Sequence, residues 1–124
     1  MAKIKHVAIR TADPERTAAF YKEAFDLKQV GLGQNGIYLS DGHINLAILK
    51  SQGGRLGVDH LGFQVDEVEK VVLKVKELGG KKMTDHVAVT PTDPSSPQSY
   101  YEVNCLGPDD QVIDISSAGW VGTD

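Results

Sequence analysis

The chain has 124 residues, of which 40% are hydrophobic and 24% charged, the balance of a single water-soluble globular domain rather than a disordered or membrane-embedded chain. Thirteen Lys and Arg against seventeen Asp and Glu give a net charge of -4 without a basic cluster, which argues against nucleic acid as a partner. Apolar runs are far shorter than the ~20 residues that span a bilayer and no signal-peptide core is present, so the expected location is cytoplasmic. Cys105 is alone, which excludes an intrachain disulfide and a thiolate zinc site.

In chain order, Ile4-Lys5-His6-Val7-Ala8-Ile9 is a segment of β-formers. Asp13 is a candidate N-cap with Pro14 at the first helical position, and Thr17, Phe20, Tyr21, Ala24 and Phe25 form a stripe at helical spacing, which predicts a helix near residues 13–25. Residues 28–49 carry the hairpin signals Asn35-Gly36 and Asp41-Gly42 between apolar runs, a three-stranded meander. Gly31-Leu32-Gly33-Gln34-Asn35-Gly36 matches the dinucleotide fingerprint in letters. It is followed by a strand pattern rather than a helix, so no nucleotide site is expected. Residues 51–54 read as a linker.

The pattern then repeats. Val58-Asp59-His60-Leu61-Gly62-Phe63 aligns with residues 4–9 at an offset of 54 residues. Asp66 and Glu69 suggest a capping box for a helix near residues 67–78, with Val68, Val71, Val72, Val75 and Leu78 as its stripe and Gly79-Gly80 as its stop. Strands are expected at 82–89, 99–105 and 112–116. Residues 90–98 hold Pro91, Pro94 and Pro97 and read as a long loop, a candidate lid. The fold class is therefore α+β: two tandem βαβββ modules, residues 1–50 and 58–117, forming curved, mostly antiparallel half-barrel sheets of eight strands with two helices. Cys105 within a strand reads as a small core residue.

The repeat places a histidine at the same strand position twice. His6 shares a face with Ile4 and Ala8, and His60 with Val58 and Gly62, while Val7, Ile9, Leu61 and Phe63 point oppositely, toward the helices. Pseudo-twofold symmetry would bring the two imidazoles together. In the last strand Ile113 and Ile115 form the apolar face, which leaves Asp114 on the other. His6, His60 and Asp114 have the composition of a 2-His-1-carboxylate triad, which suits Fe(II) and also accepts Mn, Ni, Co or Zn.

The segments Lys5-His6-Val7-Ala8-Ile9, Phe20-Tyr21, Phe25-Asp26-Leu27, Asp59 to Asp66, and Gly107-Pro108-Asp109-Asp110-Gln111-Val112-Ile113-Asp114-Ile115 resemble the vicinal oxygen chelate superfamily, which includes glyoxalase I, extradiol dioxygenases, methylmalonyl-CoA epimerase and the bleomycin and fosfomycin resistance proteins. The resemblance covers nearly the whole chain. It implies that His6 and His60 stand at the first-strand ligand positions and Asp114 at the last-strand carboxylate position. It also implies a homodimer, since half-barrels with open edges are commonly closed by a second chain in this superfamily. The chain has Gly107, Asp110, Gln111 and Asp114 where the family's closing motif has Asp, Gly, Asn and Glu. The matching last-strand position in the first module is Asn45, or Leu46 with the hairpins shifted by one, and neither is the glutamate of glyoxalase I.

Two functions compete. One is a divalent-metal enzyme, a dioxygenase or a lyase or isomerase, chelating adjacent oxygens of a small-molecule substrate, with His43, Tyr100 and Glu102 as candidate catalytic residues. The other is a metal-free binding protein of the bleomycin-resistance type.

Overall fold

The computed structural model describes residues 1–33, 36–83, 87–89 and 100–124, with residues 87–89, 100 and 101 described by backbone alone. The elements are β1 (Lys3–Thr11), α1 (Pro14–Phe25), β2 (Lys28–Leu32), β3 (Gly36–Ser40), β4 (Asn45–Lys50), β5 (Gly57–Gln64), α2 (Val68–Glu77), β6 (Lys81–Lys82), β7 (Val87–Val89), β8 (Tyr100–Leu106) and β9 (Val112–Ser116). Eight strands follow one another in the order β2-β3-β4-β1-β5-β9-β8-β6. The strand expected over residues 82–89 is two pieces, β6 and β7, that pair antiparallel with successive stretches of β8. The expected lid, residues 90–98, lies outside the described residues. Among the described residues no helix is long and apolar enough to cross a membrane.

Each module is a βαβββ unit. The helical crossover lets the first strand lie parallel to the last, β1 beside β4 and β5 beside β9, while tight turns join the antiparallel pairs β3 with β4 and β8 with β9. Asp41 makes one such turn, its Oδ1 accepting from His43 N at 2.8 Å and Ile44 N at 2.9 Å, with Gly42 at φ 99. Gly31 and Gly36 lie in strands, so no helix N-terminus stands behind the glycine motif.

The modules join through antiparallel β1 and β5. Val7 opposes Leu61, His6 opposes Gly62 and Ala8 opposes His60, so the pseudo-twofold passes between Val7 and Leu61. Equivalent residues are then diagonal neighbours on one face, within reach of long side chains. Module one packs Ala18, Ile37, Leu39 and Ile48 under α1, and module two packs Val65, Val68, Val72, Val103, Cys105 and Ile115 under α2. Cys105 is a fully buried member of that second core.

Both helices depart from expectation in detail. Helix α1 is capped as anticipated, Asp13 Oδ1 accepting from Arg16 N at 3.2 Å with Pro14 in the first turn. Its inner face, however, centres on Ala18 and Tyr21, while Phe20 and Phe25 are 59% and 62% exposed. Small Ala18 lets the helix sit close to the sheet, and the larger rings pack on one another along its flank, Tyr21 to Phe25 at 5.9 Å. At α2 the expected capping box is absent, because Glu67 rather than Asp66 holds the cap position and its side chain, paired with Lys70 at 2.9 Å, makes no capping hydrogen bond. Leu78, expected in the stripe, is the exposed C-cap ahead of Gly79 at φ 97.

Candidate metal centre

The diagonal across β1 and β5 delivers the two imidazoles to one point. His6 Nε2 lies 3.1 Å from His60 Nε2. Beside β5, Gly62 is in register with Asp114 of β9, which sets Asp114 Oδ2 3.0 Å from His60 Nε2. One ligand atom from each of His6, His60 and Asp114 falls within 4.8 Å of the others. Two ligands about 2.1 Å from one ion and at right angles to each other stand about 3.0 Å apart, so the separations of His60 Nε2 from His6 Nε2, 3.1 Å, and from Asp114 Oδ2, 3.0 Å, suit adjacent corners of an octahedral ion.

The ring nitrogens pointing away from this centre are both engaged. His6 Nδ1 is 2.8 Å from Asn45 Oδ1. His60 Nδ1 is 2.7 Å from Asp59 Oδ2, and Asp59 is steadied by Arg10 Nε at 3.4 Å. Second acceptors of this kind fix the tautomer of a ligating histidine and leave Nε2 to the ion. Asp114 is 4% exposed and accepts a hydrogen bond from Asn104 Nδ2 on neighbouring β8. The donor set therefore fits a divalent ion: two borderline nitrogens, one hard carboxylate oxygen, and an outer partner on each.

Electrostatics separates the two histidines. Burial, together with the nearby charge of His60, lowers the His6 imidazole to about 4 against the pull of Asn45 and Asp114. Burial also works against a charge on His60, but the bonds and charges of Asp114 and Asp59 outweigh it and raise that imidazole to about 9. His60 is thus an imidazolium lying between Asp114 and the lone pair of His6, with its positive charge where a cation would sit.

A cavity of about 320 Å³ opens at the centre, lined by His6, His60, Asp114, Glu102, Tyr38 and Trp120 together with smaller and apolar side chains. Glu102 in β8 faces it, and burial followed by the charge of Asp114 pushes its carboxyl up to about 7. Burial and then Glu102 raise the Tyr38 hydroxyl above its ordinary value.

Of the sequence-derived candidates, His6, His60, Asp114 and Glu102 come together. His43 does not: it precedes β4 in the exposed turn and binds Asp124 Oδ2 at 2.9 Å, because Asp41 closes the turn before the strand begins. The side chain of Tyr100 lies outside the described residues. The last-strand counterpart of Asp114 is neither Asn45 nor Leu46. Ala8 pairs with Ala47 as Gly62 pairs with Asp114, so the counterpart is Ala47, and module one offers no second carboxylate there. Sequence reasoning also missed Tyr38, Asn104 and Trp120. Trp120 stacks on His6 with centroids 5.0 Å apart and planes 4° from parallel, and the one tryptophan of the chain, following the last strand, was the available signal.

A model of the Glyoxalase/Bleomycin resistance protein/Dioxygenase superfamily matches residues 3–110. The chain belongs to this superfamily. Asp114 lies beyond the matched residues, so its place at the centre is given by the geometry alone. Among solved structures, this superfamily fold is similar to a Mn(II)-bound glyoxalase from Novosphingobium aromaticivorans, with a TM-score of 0.77 and 18% identity over 98% of this chain and 40% of that one. It is also similar to the 2,3-dioxygenase LapB from Pseudomonas sp. KL28, at TM-score 0.73 and 17% identity over 98% of this chain and 42% of that one. A methylmalonyl-CoA epimerase from Streptomyces coelicolor gives TM-score 0.65 and 16% identity over 91% of this chain and 94% of its own. The chain spans about two fifths of the glyoxalase and the dioxygenase, and nearly the whole of the epimerase. No curated protein matches the chain significantly.

Gly62 is what lets this superfamily member close its centre. A Cβ there would stand 2.7 Å from both His6 Cβ and Trp120 Cζ2. Gly62→Ala is expected to cost about 1–3 kcal/mol of stability through overpacking, and urea unfolding measures it. An unchanged midpoint and slope would show that the close approach of His6 and Trp120 is dispensable.

Proposed function

We propose that this superfamily member is an enzyme dependent on a divalent ion, Fe(II), Mn, Ni, Co or Zn, acting on a small organic molecule bound through two adjacent oxygens. The reaction class is ring cleavage of the extradiol type, or isomerisation or elimination of the lyase kind. The observation that carries this reading is the convergence of His6 Nε2, His60 Nε2 and Asp114 Oδ2, each with its outer partner, at the mouth of a cavity. His6, His60 and Asp114 would hold the ion, which supplies Lewis-acid polarisation of the two substrate oxygens. Glu102, next to Asp114 and poised near neutrality, takes or returns the substrate proton from the cavity wall. Asn104 keeps Asp114 oriented, and the apolar side chains Leu49, Met83 and Val112 keep water from the reacting oxygens. Neighbours of similar fold that are named as a Mn(II)-bound glyoxalase and a 2,3-dioxygenase support the reading.

The test is metal analysis of purified protein, followed by assays on catechol-type diols and on α-hydroxycarbonyl compounds with each of the five ions restored. Turnover is expected with at least one ion and none after chelation. If none of the five binds in a one-to-one ratio, the reading fails.

One observation favours a second reading, a metal-free protein that sequesters a drug or metabolite in a cytoplasmic setting. His60 is satisfied without an ion, by Asp59, Asp114 and His6. Tight binding of a ligand to chelator-treated protein without turnover would identify it. We further propose a homodimer, because among the described residues β2 is an edge strand paired on one side only, and its last residue, Leu32, is exposed. Light scattering at micromolar concentration should give twice the 13.4 kDa chain mass, and the chain mass alone would refute it.

A further inference from the structure

We propose that residues 117–124, which follow β9, position His6 for metal binding: the Val121 carbonyl sets the Asn45 amide, Asn45 sets the His6 tautomer, and Trp120 sets the plane of the His6 ring. This rests on the metal-centre reading above.

The argument is one of donors and acceptors. A backbone carbonyl only accepts, so the end of the Asn45 side chain 2.9 Å from Val121 O must be the Nδ2 amide. Its Oδ1, which also only accepts, is then left facing His6 Nδ1 at 2.8 Å. His6 Nδ1 must therefore carry the hydrogen, and a neutral imidazole keeps its lone pair on Nε2, the atom aimed at His60. A main-chain carbonyl from outside the sheet thus determines which nitrogen of His6 is free to ligate.

The rest of the segment is built to hold that carbonyl. Ser40 Oγ donates to Gly122 O at 2.8 Å. Gly122, at φ 84, fits so tightly that a Cβ would come within 2.7 Å of Val30 and 2.9 Å of Ser40. Asp124 accepts from His43 Nδ1 and from Lys5 Nζ, which explains why the Lys5 ammonium is tolerated in a side chain only 9% exposed. Trp120 is 7% exposed, and its ring covers His6 in parallel. All of these partners, Lys5, His6, Val30, Ser40, His43 and Asn45, belong to module one. His60 needs no such arrangement, since adjacent Asp59 fixes its Nδ1 directly. In the first module the residue before the histidine is Lys5, and the segment after β9 supplies the missing control.

The experiment measures Co(II) affinity by chelator competition for the full chain and for Trp120→Ala, Trp120→Phe and Asn45→Leu, with circular dichroism to check the fold. Loss of an outer-shell partner costs about 10–100-fold in affinity, so Trp120→Ala and Asn45→Leu should each weaken Co(II) by about that factor while Trp120→Phe, which keeps a stacking ring, restores most of it. The tautomer is read separately by ¹⁵N spectroscopy of the metal-free parent chain, where His6 should carry its hydrogen on Nδ1. Parent-like affinity in both Trp120→Ala and Asn45→Leu, or a hydrogen on His6 Nε2, overturns the proposal. The tautomer result decides even if a variant fails to fold. A parent chain that shows the Nδ1 hydrogen but takes up no Co(II) refutes the metal-centre reading and leaves the positioning of His6 upheld.

Discussion

His60→Ala is expected to abolish retention of a divalent ion, with a loss well beyond the 10–100-fold that an outer-shell partner costs. The ion would lose one of three ligands, and the Asp59 and Asp114 carboxylates that bond His60 would be left facing a void. Asp59 keeps Arg10, but removal of His60 leaves buried Asp114 without its cationic partner, a change that typically costs about 3–5 kcal/mol. Metal-free His60→Ala should therefore be less stable as well as unable to hold metal. His60→Gln separates the two effects, because an amide donor can still serve one carboxylate while offering no imidazole nitrogen. Asp114→Glu should retain the ion, since the added methylene reaches further into a cavity of about 320 Å³. Equilibrium dialysis against Co(II) or Mn(II) measures these affinities. Undiminished binding by both His60 variants would remove His60 from the centre.

This centre was legible in the sequence because two strands repeat at one offset and a strand's side chains alternate with period two. Together these placed His6, His60 and Asp114 on one face before any distance was known. The register of β4 was not legible. Counting through the hairpins pointed to Asn45 or Leu46 as the counterpart of Asp114, yet the ladder selects Ala47, because register depends on turn geometry as well as on the apolar pattern that counting follows. His43 was misplaced for a related reason: Asp41 wraps its own turn with two backbone bonds, so the strand starts two residues after His43. The inward face of α1 was shifted because Phe20 and Phe25 are more hydrophobic than Ala18, while close packing rewarded the smaller side chain. Residues 118–124 carry no periodic pattern, and tertiary contacts, chiefly with module one, give them a role.

The metal-free protein should lose stability as pH rises from about 6.5 to about 9. His60 titrates at about 9 in the folded chain and at about 6.5 when unfolded, so across this window the native state holds a proton that the unfolded state has released. Stability contributed by a raised histidine is complete below the unfolded value and disappears as pH climbs through the folded one. The slope is about 1.4 kcal/mol per pH unit for one proton, which over this window amounts to about 3 kcal/mol. Below pH 6.5 two other groups oppose each other. Glu102, raised to about 7, makes stability fall with pH between its unfolded value and 7. His6, lowered to about 4, makes stability rise with pH between 4 and 6.5. Their protons nearly cancel, so the dependence contributed by this cluster should be flat on the acid side and steep on the alkaline side. A divalent ion at the centre replaces the His60 proton with a charge that does not titrate, and should flatten the alkaline limb as well. Urea unfolding at pH 6.5, 7.5 and 8.5, with chelator and with saturating Co(II), checks both halves. Metal-free stability that rises over this range would show that His60 is not held as an imidazolium between Asp59 and Asp114.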